Sequence, residues 1–339
     1  MKLLLLLANL ALFTMLSSAA EKPSIVFILA DDMGAGDVAD APKFAAYGYD
    51  LGLGTYESPE PAAALGLQTT PWGPDEKREP QQVPRHDRTR WMADETIAFL
   101  KTHDSQPCFV NLWFDDVHTP WVPASAVTGK DRVNLAAVIS EMDNQIGRLL
   151  DALPVNTLVI FASDNGALPT FKGERNVGLR GSKLSLYEGG IRLPFIARWP
   201  GHVPAGMVDD TSVLHAVDML PTLAAIGGAA LPKRSAGDGL DISAALLGKP
   251  VERTKPLFWE YGRNETSFKY PAQPDRSPNV AMLDGKWKLL INADGSGAEL
   301  YDIGSDPNET RNLAEAQPDV AAKLKAAALE WRASLPSLK

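Results

Sequence analysis

The sequence predicts an α/β fold whose central strands are buried on both faces. Residues 25–30 and 157–163 are continuous apolar runs with the length and β-branched content of such strands. Between them, residues 134–153 repeat apolar side chains at the spacing of one helix face. Both apolar runs lead directly into acidic or amide residues, at the strand ends where α/β sheets bind ligands.

Further elements are predicted along the rest of the chain. They are a helix at 89–103, strands at 108–114 and 194–199, a helix opening near 218–223 and a C-terminal helix at 318–335. Residues 38–84 are rich in Gly, Pro, Ala and Thr and predict a long irregular segment. Residues 280–291 and 298–302 predict an antiparallel pair joined by a turn at Asp294 and Gly295.

Residues 1–20 have the features of a signal peptide. Lys2 supplies a positive start, residues 3–16 are apolar, and the small residues at 18–20 offer a cleavage site. The apolar run is too short to favour a stable membrane span. We therefore expect export to the periplasm or the extracellular space. Cys108 is the only cysteine, so the chain forms no internal disulfide.

The composition limits the size of the fold and the class of partner. A chain of 339 residues, 45% of them hydrophobic, is long enough for one large domain or a large and a small one. The formal net charge of −9 argues against a nucleic-acid partner. An anionic substrate would need a local positive site in such a chain.

Oxygen-bearing side chains follow both central strands. Asp31 and Asp32 follow the first strand, and Asp164 and Asn165 follow the second. If the strands are neighbours, about 4.8 Å apart, these side chains converge at one sheet edge. Hard oxygen ligands without His or Cys favour calcium or magnesium over zinc. The alternative is that the two aspartates cap a helix.

Two further side chains are candidates for contact with an anion bound to that metal. Lys183 lies in a loop rich in Gly, Arg and Lys, and His118 follows a predicted strand. A metal with Lys and His is suited to stabilise charge on a transferring sulfuryl or phosphoryl group. The alternatives are a solvated loop lysine and a histidine that fixes the turn before Pro120.

Several motifs together resemble the type I sulfatases of the alkaline phosphatase superfamily. They are the opening at 25–37, the histidine segment at 118–120, the second metal motif at 163–166, the lysine loop at 179–194 and the C-terminal segments at 287–290 and 299–309. They occur in the family's order and cover most of residues 22–315. Their number and order make the resemblance specific.

The resemblance implies a large mixed, mostly parallel sheet flanked by helices, as in alkaline phosphatase, with a small C-terminal antiparallel sheet plus helix. The α/β domain would span residues 21–250 and the C-terminal subdomain residues 255–339. The implied ligands of a divalent ion, usually Ca²⁺ with Mg²⁺ as the alternative, are Asp31, Asp32, Asp164 and Asn165. The implied sulfate contacts are Lys183 and His118, and the implied substrate is a sulfated small molecule or glycan.

The chain departs from the family at the nucleophile. Sulfatases convert a cysteine or serine in a Cys/Ser-x-Pro/Ala-x-Arg motif to formylglycine, and no such motif occurs here. Cys108 is followed by Phe109, Val110 and Asn111 in a predicted strand, so it does not carry this role. We therefore predict an internal deletion near residues 38–46 that removes the nucleophile and its helix.

The sequence leaves three functions open. The first is hydrolysis of aryl or carbohydrate sulfate esters, which the motifs favour. The second is a catalytically inactive or truncated relative that keeps a metal and anion site, which the absent nucleophile motif favours. A phosphatase of the same superfamily is weaker, because no Ser or Thr opens a helix after the first strand.

Overall fold

The protein is described by a computed structural model that covers residues 22–30, 49–57, 66–72, 81–124, 129–231, 237–263 and 274–336. Its strands are β1 (Ser24–Ala30), β2 (Gly52–Glu57), β3 (Gly66–Trp72), β4 (Gln81–Pro84), β5 (Phe109–Phe114), β6 (Thr157–Ser163), β7 (Phe195–Arg198), β8 (Leu257–Glu260), β9 (Val280–Asp284), β10 (Trp287–Ile291) and β11 (Glu299–Asp302). Its α-helices are α1 (Arg88–Thr102), α2 (Arg132–Ala152), α3 (Glu188–Ile191), α4 (Met219–Ile226), α5 (Ser243–Leu246) and α6 (Pro318–Ser334).

The main sheet is mixed and has the strand order β5-β1-β6-β7. Strand β1 pairs in parallel with β5 and β6, whereas β7 is antiparallel to β6. In this register Ala30 lies opposite both Phe114 and Ser163. The carboxyl ends of three parallel strands therefore meet at one edge, which confirms the predicted mixed, mostly parallel sheet.

Helices cover both faces of this sheet because alternate side chains of β1 point to opposite sides. Val26 and Ile28 pack in one core cluster with α1 and α2, which contribute Leu100, Met142 and Leu149. The other face forms a second cluster, with Ile25, Leu158, Ile160, Leu223 of α4 and Leu246 of α5. Apolar contact on both sides explains why the two central runs lack polar alternation.

The C-terminal sheet is antiparallel in the order β11-β10-β9-β8. The prediction that residues 280–291 form one strand was wrong, because a tight turn divides them. Asp284 pairs with Trp287, and Gly285 between them has φ +59°, a left-handed conformation that glycine adopts without strain. The helix α6 packs on this sheet through Leu324 and Ala328.

The prediction of an irregular segment at 38–84 was wrong for its described part. Strands β2, β3 and β4 form a three-stranded antiparallel sheet. Backbone pairing between strands stabilises such a sheet even where Gly and Pro obscure the two-residue period. The predicted deletion at 38–46 and the signal peptide at 1–20 lie outside the described residues, and the division at 250–255 stays a prediction.

No helix in the described ranges is long and apolar enough to cross a membrane.

Candidate active site

The site lies where β1 and β6 end side by side. Ser163 closes β6 opposite Ala30, and its hydroxyl donates to the carbonyl of Asn165 over 3.1 Å. Asp164 and Asn165 therefore lie at the edge of the main sheet where β1 also ends, one residue before Asp31 in the sequence. Asp31 and Asp32 themselves lie outside the described residues.

A cavity of about 510 Å³ opens at this edge of the sheet. Its lining includes Ala30, His118, Asp164, Asn165 and Lys183. The structure therefore brings the four described candidate residues around one cavity, although they come from three separate segments. Its volume is in the range of about 300–1,000 Å³ that is usual for small-molecule sites.

The turn after β6 is held by close backbone packing. The side-chain amide of Asn165 donates to Oδ2 of Asp164, so the two oxygen-bearing groups lie together. The amide of Gly166 donates to the carbonyl of Gly190 over 2.9 Å. A side chain at position 166 would run into the backbone of Gly189 and Gly190. Only glycine fits where the turn after β6 and the lysine loop touch.

The loop that carries Lys183 is fixed at both ends by backbone hydrogen bonds. The amide of Lys183 donates to the carbonyl of Ala167 over 2.9 Å, and that of Gly189 donates to the carbonyl of Arg180 over 2.7 Å. Leu184 has φ +71°, an unusual conformation for a branched residue. The loop therefore places a half-buried lysine in the wall of the cavity that Asp164 also lines.

A buried ion cluster ties this loop to the C-terminal sheet. Nζ of Lys288, on β10, lies 2.7 Å from Glu188 Oε1 and 2.9 Å from Glu309 Oε1. The backbone amide of Glu188 also donates to Glu309 Oε2 over 2.6 Å. All three side chains are buried, so the start of α3 is fixed five residues after Lys183.

A second contact between the loop and the C-terminal sheet lies around Arg180. Its guanidinium lies 3.8 Å from the centre of the Tyr187 ring and donates to the hydroxyl of Tyr301 over 2.8 Å. Both tyrosine hydroxyls donate to Glu299. Burial, with Glu299 as the second cause, raises the pKa of both tyrosines far above their usual range. These hydroxyls therefore stay protonated and act as fixed donors.

His118 is held by charged groups that sequence analysis missed. Its carbonyl accepts from a guanidinium nitrogen of Arg85 over 3.2 Å, and its amide donates to the carbonyl of Asp115 over 3.0 Å. Arg88 forms an ion pair with Asp115, and both arginines are buried. The sequence feature that could have indicated these charged groups is the pair Asp115 and Asp116. It directly follows β5 and makes this the third strand end with acidic residues.

The described donors fit a hard divalent cation, although the set is partial. Asp164 and Asn165 offer only oxygen ligands, the type that Ca²⁺ and Mg²⁺ prefer. Among the described residues, no cluster of three or more His, Cys, Asp or Glu could hold a metal alone. The other two expected ligands, Asp31 and Asp32, follow Ala30, which lines the cavity.

Cys108 does not fit the role of a formylglycine precursor. It directly precedes β5 rather than lying inside it, and its carbonyl accepts from the amide of Ile25 near the start of β1. This is the opposite end of the sheet from the cavity. Burial raises the pKa of its thiol, which makes it less reactive.

The close contact at Gly166 leads to a stability prediction. We expect Gly166→Ala to destabilise the protein by about 1–3 kcal/mol, because the added carbon meets backbone atoms that cannot move aside. Gly147→Ala is the matched control, since Gly147 lies in α2 with no atom within 4 Å of the new carbon. It should stabilise the protein by about 0.5–1 kcal/mol. Urea unfolding of both variants measures this, and equal effects would contradict the prediction.

Two models of known protein families match this chain. Residues 60–229 match the family model described as Sulfatase. Residues 181–333 match the model of the N-sulphoglucosamine sulphohydrolase C-terminal region. The first match contains Asp164, Asn165, His118 and Lys183.

Named relatives carry sulfatase activities. An N-acetylgalactosamine-6-O-sulfatase of Bacteroides thetaiotaomicron is 31% identical over 69% of this chain and 48% of its own. Human arylsulfatase A is 34% identical over 55% of this chain and 41% of its own. The chain thus spans about half the length of the curated relatives it matches.

A solved structure shares the fold at low sequence identity. The chain solved in complex with its substrate D-glucosamine-2-N,6-O-disulfate is 16% identical, with a TM-score of 0.63. The match covers 94% of this chain and 82% of that one. At this identity the likeness supports the fold alone.

Proposed function

Because the chain belongs to the sulfatase family, we propose that its cavity binds the sulfate group of a sulfate ester for hydrolysis. The observation that carries this proposal is the grouping of Asp164, Asn165, Lys183 and His118 around one cavity. The cavity lies at the carboxyl ends of parallel strands, where α/β folds place their ligands.

Asp164 and Asn165 would hold the metal ion together with Asp31 and Asp32. A divalent ion, Ca²⁺ or alternatively Mg²⁺, would polarise the sulfate oxygens and offset their charge. We assign Nζ of Lys183 and the imidazole of His118 to hydrogen bonds with the sulfate. Lys183 has its loop fixed by Glu188, and His118 has its backbone fixed by Arg85, so neither needs large reorganisation when sulfate binds.

The described residues do not fit formylglycine, so no covalent step is assigned to them. The motif that carries it is absent from the sequence, and Cys108 lies at the wrong end of the sheet. The absent motif motivates one second candidate, a relative that would keep the metal and anion site without hydrolysing the ester.

The proposed substrates are aryl or carbohydrate sulfates. This class is supported by relatives named as an N-acetylgalactosamine-6-O-sulfatase and an arylsulfatase. We propose that residues 1–20 direct export to the periplasm or the extracellular space. With a net charge of −9, nucleic acid is not a proposed partner.

Sulfate release separates the two candidates. The full chain with Ca²⁺ is incubated with 4-nitrophenyl sulfate and with galactose 6-sulfate, and binding of each ester is measured by calorimetry. Release of inorganic sulfate supports hydrolysis. Binding without release supports the second candidate, and the absence of binding to either ester overturns both.

Metal removal has an expected effect on stability. Ca²⁺ at a hundred times its dissociation constant should raise the free energy of unfolding by about 2.7 kcal/mol over EDTA-treated protein, because only the folded site gathers the ligands. Thermal unfolding in Ca²⁺ and in EDTA measures this at matched ionic strength. Asp164→Ala should abolish the difference. If the wild-type melting curves coincide in Ca²⁺ and EDTA, the assigned metal site is wrong.

A further inference from the structure

A cation that the sulfate contacts do not use lies in the wall of the same cavity. Arg175 belongs to the 3₁₀ segment Phe171–Asn176 and lines the cavity with Lys183 and His118. In the sequence it is one of several basic residues in a loop. In the folded protein, its place in the cavity wall distinguishes Arg175 from basic residues of the loop that do not line the cavity.

Arg175 is half-buried without a carboxylate partner. Among the described residues, no carboxylate oxygen lies within the 4 Å of an ion pair to its guanidinium, and the adjacent Glu174 pairs with Arg132 instead, at 2.6 Å. Burial lowers the pKa of Arg175, and no acidic group in the described part of the chain offsets this. A desolvated cation is costly unless an anion compensates it. An anionic ligand in the cavity would supply that compensation.

Aromatic contacts hold the segment in place. The guanidinium carbon of Arg175 lies 5.6 Å from the centre of the Trp121 ring, and Trp121 is fully buried. Phe171 stacks on the same indole at 5.8 Å between centroids and carries Arg132 on its ring at 4.5 Å. The position of Arg175 is therefore set before any ligand arrives.

The backbone of this wall is strained. Phe171, Lys172 and Val177 have φ of +56°, +58° and +46°, in the left-handed region that non-glycine residues rarely adopt. Val177 is also β-branched, lines the cavity and is 85% exposed. Strain of this kind costs about 1–3 kcal/mol per residue and is concentrated at ligand-binding segments. An apolar, exposed rim beside a half-buried cation suits the ring of a charged sugar.

We propose that Arg175 binds a second anionic group of the substrate, so that the preferred ligand is a sugar sulfate carrying another sulfate or a carboxylate. This inference rests on the proposed function, in which Lys183 and His118 bind the first sulfate. The planar guanidinium can donate two parallel hydrogen bonds to either anion. Aryl sulfates with a single charge would leave Arg175 without a partner.

Matched esters test this assignment by calorimetry in the presence of Ca²⁺. The probes are galactose 6-sulfate, its 2,6-, 3,6- and 4,6-disulfates, and a 6-sulfated disaccharide with a uronate. We expect the wild-type protein to bind at least one dianionic probe about tenfold more tightly than galactose 6-sulfate, or about 1.4 kcal/mol. Arg175→Gln should remove this difference and leave the affinity for galactose 6-sulfate within about twofold.

Two further variants keep the test specific. Lys172→Gln removes a charge from the same segment without touching the cavity lining, and should preserve the preference for the dianionic probe. Arg175→Lys retains the positive charge and should preserve part of the preference for the dianionic probe. This variant also tests the proposal if Arg175→Gln fails to fold.

Each outcome decides between the two proposals. Equal wild-type affinity for all probes would overturn the role of Arg175 and leave the proposed function standing. If Arg175→Gln loses the same affinity for the monoanionic and the dianionic probes, the role of Arg175 is overturned in the same way. If the wild-type protein binds none of the probes, both proposals fail together.

Discussion

Lys288→Met is expected to lower the free energy of unfolding by about 3–5 kcal/mol, because it leaves two buried carboxylates without their cation. Nζ of Lys288 is fully buried and lies within 3 Å of both Glu188 and Glu309. Methionine fills most of the lysine volume, so the loss is mainly electrostatic. Denaturant unfolding measures the loss, and weaker binding of sulfate esters should accompany it, since Glu188 fixes the loop of Lys183.

A surface lysine of the same hairpin provides the control. Lys286 pairs with Asp302 at 2.6 Å, but its side chain is 57% exposed. Lys286→Met should therefore cost no more than about 1 kcal/mol, as is usual for exposed ion pairs. If Lys286→Met destabilises as much as Lys288→Met, the buried cluster is not what stabilises the contact between the lysine loop and the C-terminal sheet.

The pH dependence of Lys288→Met has a defined sign. Desolvation already raises the pKa of Glu309 in the wild-type protein, and Lys288 opposes this shift. Removing Lys288 should raise the pKa of Glu309 further. The folded variant then binds more protons than its unfolded chain over a wider range of pH. Its stability must then fall as pH rises above the unfolded pKa of Glu. The difference in free energy of unfolding between wild type and Lys288→Met should therefore shrink towards acidic pH and grow towards neutral pH.

Lys183→Ala is expected to have the largest effect on function. It removes the cation assigned to the sulfate, and loss of one partner of a desolvated charge pair typically costs about 2–5 kcal/mol of binding, a factor of at least about 30. The affinity for galactose 6-sulfate in Ca²⁺, measured by calorimetry, should fall by this factor. The rate of sulfate release should fall with it if the full chain hydrolyses the ester.

Lys172→Ala is the control for the lysine loop. Lys172 is exposed and does not line the cavity, so its loss removes the same formal charge without a contact. Its effect should be small and should disappear at high salt, since exposed charges are screened. Comparable losses in Lys183→Ala and Lys172→Ala would assign the effect to overall charge rather than to the site.

Local sequence patterns were sufficient for the strand ends. The apolar runs at 25–30 and 157–163 have no polar alternation because helices cover both sides of the sheet. Asp164 and Asn165 could therefore be placed at a ligand-binding edge before the structure was known. Lys183 and His118 could be named as candidates for contact with an anion, but nothing in their local spacing indicates that they share a cavity.

Contacts between distant segments could not be predicted in this way. Lys288 and Glu188 are 100 residues apart, and a lysine in a strand normally indicates an exposed face. The same holds for Arg175, whose importance lies in its place in the cavity wall and in the absence of a carboxylate near it among the described residues. The β2–β4 sheet was missed for a different reason, because interstrand backbone bonds leave no trace in a Gly- and Pro-rich sequence.

A crystal structure of the full chain with Ca²⁺ and galactose 6-sulfate tests the central claim most directly. We expect a metal ion bound by Asp164 and Asn165, with Asp31 and Asp32 completing its ligands, and the sulfate in contact with Lys183 and His118. A sulfate bound away from Lys183, or a metal ion that Asp164 does not contact, would contradict the assigned site.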